Sequence, residues 1–316
     1  MESQMGINVV LGATGGAGQA VVEELVRQGK PVRAVNRSGK MNVPAGVEVV
    51  KGDATNVDSL KAACAGAAVI YHCVNVPYDR WLTEFMPLTG NIIEAASAAG
   101  AKLVMADNLY MYGKVNGPIS ADLPYNATTR KGKLRAQMAD MLMEAHHSGK
   151  VRATIGRASD YFGPGGTNAI AGRDYFRAVL AGKKAMWLAS LDQPHSLSYL
   201  PDFGRGLVTL GERDEALGQA WIIPADKPVT GRAFGNMAFE EAGQPPKLGA
   251  HSALMIRIGG IFSPFIREVN EVVYEFEAPF VLDGSKFENA FGPFAPTPMR
   301  EAIRETVAWF RAHPDA

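Results

Sequence analysis

An α/β protein built on a doubly wound parallel sheet is what this sequence predicts, and three observations predict it. Short apolar runs alternate with stretches of helical period through residues 7–155, and unbroken apolar runs are strands buried on both faces, as in parallel sheets covered by helices. The first run, Ile7–Leu11, feeds a glycine cluster that leads straight into a helical pattern. The chain has 316 residues, 47% hydrophobic and 20% charged, which allows one large α/β domain or a domain with a smaller companion and excludes a disordered chain.

The elements follow in order. After Ile7–Leu11, Val21, Val22, Leu25 and Val26 recur at helical spacing and Gly29 is the stop signal. Val32–Val35 and Val47–Val50 are the second and third strands, Ser59–Cys64 a short helix and Ala68–Val76 the fourth strand. Residues 80–99 read as a helix ended by Gly100, with Pro87 either starting or kinking it. Lys102–Ala106 is a fifth strand, Lys133–Ser148 an amphipathic helix with Leu134, Met138, Met141, Leu142 and Ala145 on one face, and Val151–Ile155 a sixth strand. Such alternation implies right-handed crossovers.

Beyond residue 160 the pattern is mixed, with turn-rich loops at 116–125 and 163–172. Strands are expected near 186–189, 195–200 and 219–223, and helices near 202–211, 230–242, 253–262 and 298–312, the last with Thr297 as N-cap and Pro298 in its first turn. The core is read as 1–160 with a contribution from about 195–225, and 161–316 mainly as a small C-terminal substrate-binding lobe. Leu254–Phe265, with few basic residues, reads as a lid helix in preference to a membrane-surface helix.

Lys+Arg 32 balances Asp+Glu 32, which argues against nucleic acid as a partner, because phosphate neutralisation needs a basic surplus. Cys64 and Cys73 give neither a disulfide framework nor metal-ligand spacing, and the six histidines form no H-E-x-x-H pattern. Met1-Glu2-Ser3-Gln4 shows no apolar signal core and no run is long enough to span a membrane. The expectation is a cytoplasmic protein with a small-molecule substrate.

The strongest motif is Gly12-Ala13-Thr14-Gly15-Gly16-Ala17-Gly18, between the first strand and the first helix. Glycines there permit a tight turn and a close approach to a pyrophosphate aimed at by helix N–H groups, so the sheet is Rossmann-type and the ligand a dinucleotide. Asn36-Arg37-Ser38 ends the second strand without the carboxylate that would hold a ribose 2′-hydroxyl, while Arg37 suits a 2′-phosphate. NADP(H) is favoured over NAD(H). Asp53, followed by Ala54, stands either at the adenine amino group or in a plain turn.

The glycine turn, Gly52-Asp53, Tyr71-His72-Cys73, Tyr112-Gly113, Arg157 through Tyr161-Phe162-Gly163-Pro164-Gly165, and Tyr199-Leu200-Pro201-Asp202 run in an order that resembles the extended short-chain dehydrogenase/reductases of the epimerase/dehydratase type. The resemblance implies about seven strands, cofactor contacts at Val74, Asn75 and Ala158, and pairing of two copies through residues 88–99 and 133–147. It also implies a Ser/Thr, a Tyr and a Lys, the last two as Y-x-x-x-K, with the Lys on the nicotinamide ribose and the Tyr as proton donor.

Here Lys133 best matches the lysine, Thr129 stands four residues before it, Asn108 takes the Ser/Thr position, and Phe85 replaces an Asn common in relatives. Arg130, Lys131 and Arg135 read as a solvated basic face. Three outcomes stay open. Tyr125 takes over as acid, sharing a face with Thr129 and Lys133 if 125–133 is helical, or Tyr110 does; Asn108 and Thr129 polarise the substrate while a water delivers the proton; or turnover is lost and the chain is an NADP-binding sensor similar to NmrA-type regulators. The activity implied is NADP(H)-dependent hydride transfer to or from a carbonyl or activated double bond, with a nucleotide-sugar epimerase or dehydratase holding NAD as the alternative. Asp160 and Tyr161 are candidate substrate contacts, and Trp187 and His195 candidate lining residues of the lobe.

Overall fold

Ile7–Leu11 (β1) lies inside a seven-stranded sheet in which every pairing is parallel. Val32–Asn36 (β2) and Glu48–Lys51 (β3) extend it one way. Ala67–His72 (β4), Lys102–Asp107 (β5), Arg152–Arg157 (β6) and the strand Ala220–Ile222 extend it the other way. The chain thus reverses direction across the sheet between β1 and β4, the switch point at which doubly wound sheets bind ligands beyond their carboxyl ends. Leu11 pairs with Val35 and His72, so β1, β2 and β4 deliver their following loops to one edge. Val9, Val10, Ala34, Ile70, Met105 and Ile155 are almost wholly buried, as a sheet covered on both faces requires.

The computed structural model describes residues 6–315; Met1–Gln4, read above for a signal core, lie outside them. Two compact units are defined by contact. The first takes residues to Asp107, Lys133–Arg157 and Phe203–Ile223; the second takes Asn108–Gly132, Ala158–Asp202 and the chain from Pro224 onward. In the first unit Gly16–Arg27 (α1), Val57–Ala63 (α2) and Trp81–Ala99 (α3) follow their strands. Arg130–His147 (α4) starts in the second unit and continues in the first. The second unit holds three two-stranded pieces and an aromatic core of Phe162, Tyr175, Phe176, Trp187, Phe234 and Phe310, in which Phe176 and Phe310 stack at 5.1 Å.

Four local expectations are corrected. The fourth strand stops at His72, not Val76, where Trp81 Nε1 donates to the Val76 carbonyl and ties the departing loop to the head of α3. Of the two readings of Pro87, the start of α3 is the one overturned, because the residue lies inside the helix; burial of Phe85, Leu88, Ile92 and Ile93 on one helix face outweighs the lost backbone bond. Residues 125–129 are not helical. Ala127 N donates to the Met111 carbonyl, and the Thr129 hydroxyl accepts from Gly132 N at 3.2 Å, so Thr129 caps a helix that begins at Arg130. At the last helix, Met299–Ala312, Thr297 is not the cap: its N–H and hydroxyl both donate to Asp202, and the Asp226 carboxylate accepts from Met299 N instead.

Candidate active site

The glycine turn leaves β1 at the switch point. Gly12 N and Ala13 N both donate to the Val35 carbonyl, which pins the turn against β2. Gly12 has φ +78°, and a Cβ there would come within 2.6 Å of the Cys73 carbonyl, so only glycine fits. A Cβ on Gly18 would overlap the Gly12 carbonyl; its absence seats α1 directly on the turn. The N-cap of α1 is Gly15, no side chain caps the helix, and no acidic residue stands in its first turn. Thr14 and Gly15 are exposed, with Gly16 and Ala17 half-buried beside them. The first-turn N–H groups are therefore presented as an anion site, the form a dinucleotide pyrophosphate requires.

Around the turn, Asn36 and Ser38 are spent on each other. Asn36 Oδ1 accepts from Ser38 N at 2.9 Å, Ser38 Oγ at 2.8 Å and Gly39 N at 2.8 Å. This loop leaves Arg37 exposed. Asp53 accepts from Thr55 N and Thr55 Oγ1, and those bonds, helped by the charges of Arg37 and Lys51, hold its carboxyl below the usual range. Ala54 is buried and its carbonyl accepts from Asn91. Val74 N donates to His72 Nδ1 at 3.3 Å; Val74 is half-buried and Asn75 exposed. Burial, reinforced by the Arg135 charge, lowers the His72 pKa to about 3, so the imidazole is a neutral strut under that loop. Ala158, directly after β6, is buried.

The same edge carries a charged cluster that the sequence reading did not find. Asp107, at the end of β5, is fully buried between Arg135 Nη1 at 3.3 Å and Arg157 Nε at 3.5 Å. The Arg135 guanidinium also lies 4.3 Å from the Trp81 ring centroid and 4.4 Å from that of Phe85, a double cation–π seat. Arg135 is 7% exposed and Lys131 is 0% exposed, so the expected solvated basic face is corrected for both. Lys133 is exposed. Two residues round an α-helix is about 200°, so it stands on the side of α4 opposite to its buried neighbours. The signal was available: Lys131, Leu134, Arg135 and Met138 keep the i, i+3, i+4, i+7 spacing of one helix face.

In the second unit, Asn108 Oδ1 accepts from Tyr110 N at 3.2 Å, inside the turn Tyr110–Tyr112. A Cβ on Gly132 would come within 2.5 Å of the Tyr110 carbonyl; glycine thus lets the Tyr110 turn lie against the head of α4. Asn108, Tyr110, Thr129 and Lys131 are brought together in this way. Tyr125, in the non-helical segment, packs edge-on against Tyr112 at 5.8 Å and is 36% exposed. Lys131 Nζ pairs with Glu268, and Arg130 pairs with Glu268 and Glu271. Residues 268 and 271, more than a hundred positions along the chain, carried no local signal.

Asp160 Oδ2 lies 2.8 Å from His195 Nε2. The His195 ring is stacked between Phe276 at 4.5 Å and Phe280 at 5.1 Å. Trp187 is buried in the aromatic core. Glu275 is 1% exposed; burial, then the Asp160 charge, pushes its carboxyl up, against an opposing Tyr274 hydrogen bond. A raised folded-state pKa favours folding at low pH and loses that contribution as pH climbs through it. Glu275→Gln is therefore expected to gain stability relative to the parent as pH rises from 4.5 into the alkaline range, read as the difference in thermal midpoint. A pH-independent difference would remove the assignment.

A model of the NAD dependent epimerase/dehydratase family matches residues 8–223, more than half of the chain, and the chain belongs to that family. Three solved structures share its fold. The protein gox2253 is similar with TM-score 0.79 and 20% identity, over 97% of this chain and 98% of that one. The Bordetella bronchiseptica enzyme WbmH, solved with NAD+, has TM-score 0.75 and 18% identity over 98% and 99%. A UDP-glucuronic acid 4-epimerase from Bacillus cereus, solved with NAD, has TM-score 0.79 and 15% identity over 97% and 99%. No curated protein sequence matches. Among the described residues no helix is long and apolar enough to cross a membrane, and no group of three or more His, Cys, Asp or Glu is placed to hold a metal ion.

Proposed function

We propose that this chain is an oxidoreductase that moves a hydride between NADP(H) and a carbonyl or activated double bond of a small organic substrate. The observation that carries the reading is the uncapped head of α1 behind a glycine turn whose first residue has φ +78°. Gly12, Gly15, Gly16, Ala17 and Gly18 would hold the pyrophosphate, with Thr14, Val74, Asn75, Asp53, Ala54 and Ala158 around the rest of the dinucleotide. When bound, the cofactor supplies or accepts the hydride. The two relatives solved with NAD favour a cofactor of this class.

The acid role passes to Lys131. It stands four residues before Arg135 at the head of α4, as the Tyr stands before the Lys in Y-x-x-x-K, and both are buried. An ammonium has three donors and a full charge, so Lys131 hydrogen-bonds a substrate oxygen and stabilises the negative charge that develops on it. Glu268 pairs with it. Asn108, Tyr110 and Thr129 orient that oxygen, with Tyr110 and Tyr125 as the alternative acids. Arg135, held by Asp107, Trp81 and Phe85, replaces the ribose-binding lysine, the role first read for Lys133.

Exposed Arg37 selects the 2′-phosphate. Arg37→Ala is expected to weaken NADPH binding by about 10- to 100-fold, the worth of a charge-assisted hydrogen bond, and to leave NADH binding unchanged in a fluorescence titration. A parent protein that binds NADH as tightly as NADPH would end the phosphate assignment. The second reading is a nucleotide-sugar epimerase or dehydratase that keeps NAD bound, favoured by the names of the relatives. Stoichiometric NAD co-purifying with the chain would put that reading first.

A further inference from the structure

In the second unit, Asp160 opens the strand Asp160–Phe162 shortly after β6 has ended at Arg157. Ligands of doubly wound sheets gather beyond the carboxyl ends of the strands. The Asp160 carboxylate is only half satisfied. Its Oδ2 accepts from His195 Nε2 at 2.8 Å, and Oδ1 takes no hydrogen bond from the described residues. The side chain keeps 11% of its surface open. Behind it the cluster is closed. His195 is 2% exposed, its ring stacked between Phe276 and Phe280, and Nδ1 has no partner, so the imidazole is tied to Asp160 through Nε2 alone. Glu275 is 1% exposed and its Oε1 also lacks a partner. The Asp160 charge adds to burial in raising the Glu275 carboxyl, so Glu275 stands near Asp160 as a neutral acid. Among the described residues no Lys or Arg pairs with either carboxyl group.

We infer that Asp160 determines specificity by receiving an ammonium group carried by the substrate. Its part in turnover rests on the oxidoreductase reading above; its binding of the ammonium does not. Buried polar atoms are nearly always met by a partner, and this cluster leaves two of them bare behind a carboxylate that is still open. An ammonium brings three N–H groups and a full charge, enough for Asp160 Oδ1 and for Glu275 Oε1. The charge is worth more here than in water, because burial and the rings of Phe276 and Phe280 lower the local dielectric. A hydroxyl supplies a donor without the charge. A carboxylate or a nucleoside diphosphate meets Asp160 as a like charge and is rejected, which is selection by repulsion as much as by attraction. The neutral state of Glu275 suits the same ligand, since it leaves a single carboxylate charge to be paired with a single ammonium.

Equilibrium binding tests this apart from the hydride chemistry. Ligand-observed NMR titrations of the whole chain, with NADPH present, use probes of one shape: benzylamine, benzyl alcohol and benzoate. Benzylamine is expected to bind about 10-fold tighter than the alcohol, or more, the worth of a charge-assisted contact, and benzoate to show no binding. Asp160→Asn keeps the shape of the side chain and removes its charge. It is expected to bring benzylamine within about twofold of the alcohol with the NADPH titration unchanged. Should that variant fail to fold, the ranking in the parent still decides. In turnover, para-aminomethylbenzaldehyde is expected to exceed para-carboxybenzaldehyde in kcat/KM by at least the same margin. A parent that binds benzyl alcohol or benzoate as tightly as benzylamine overturns the inference. So does an Asp160→Asn protein that keeps the parental preference. A parent that prefers benzylamine but oxidises no NADPH removes the proposed function and leaves the ammonium site standing.

Discussion

Asp107→Ala is expected to destabilise the chain by about 3–5 kcal/mol, the cost of stripping a buried charge pair of one partner. The carboxylate has no exposure, and neither has Arg157; Arg135 is 8% exposed at its side chain. Without Asp107, two guanidiniums face each other in a medium too apolar to screen them. Urea unfolding read by tryptophan fluorescence measures the loss. The paired change Asp107→Ala, Arg157→Met is expected to recover part of it, since it deletes one of the two stranded charges and leaves Arg135 on its aromatic seat. A single-variant loss under about 1 kcal/mol would mean that the cluster is solvated enough to screen itself.

This cluster also explains why part of the site was hidden in the sequence. Phe85 looked like an isolated departure from the family pattern. In the folded chain it has a partner: a guanidinium needs a flat apolar seat, and Trp81 and Phe85, one turn apart on α3, provide it for Arg135. Spacing along α3 shows that the two rings share a face, but not which side chain rests on them, because their partner comes from another helix. The parallel sheet was legible because it rests on local pattern: apolar runs, a glycine turn, a helix stop at Gly100 with φ +63°. Lys131 was half legible. Its helix face could be read from the positions of Leu134 and Met138, but a run of cations from Arg130 to Arg135 reads as a solvated face unless the carboxylate that meets Lys131 is known, and that carboxylate comes from residue 268. Glu268 and Glu275 could not be read at all, since only folding brings them to Lys131 and Asp160.

Lys131→Met is expected to lower kcat by about 10²- to 10⁴-fold, the usual worth of a positioned proton donor, with NADPH affinity kept within about twofold because α1 and the glycine turn are untouched. The assay is NADPH oxidation with the carbonyl compound that the parent reduces fastest. Methionine keeps the length of the side chain and removes its charge, which leaves the largely buried Glu268 with Arg130 as its remaining cation. A fall in stability is therefore expected alongside the fall in rate. The two effects separate in Lys131→Met, Glu268→Gln: deleting both charges restores most of the stability and none of the rate. Lys133→Ala is the comparison from the outward face of the same helix, expected to change kcat by less than about twofold. If Lys131→Met keeps more than about a tenth of parental turnover, the acid is one of the tyrosines, and Tyr110→Phe against Tyr125→Phe then decides between a half-buried ring and an exposed one.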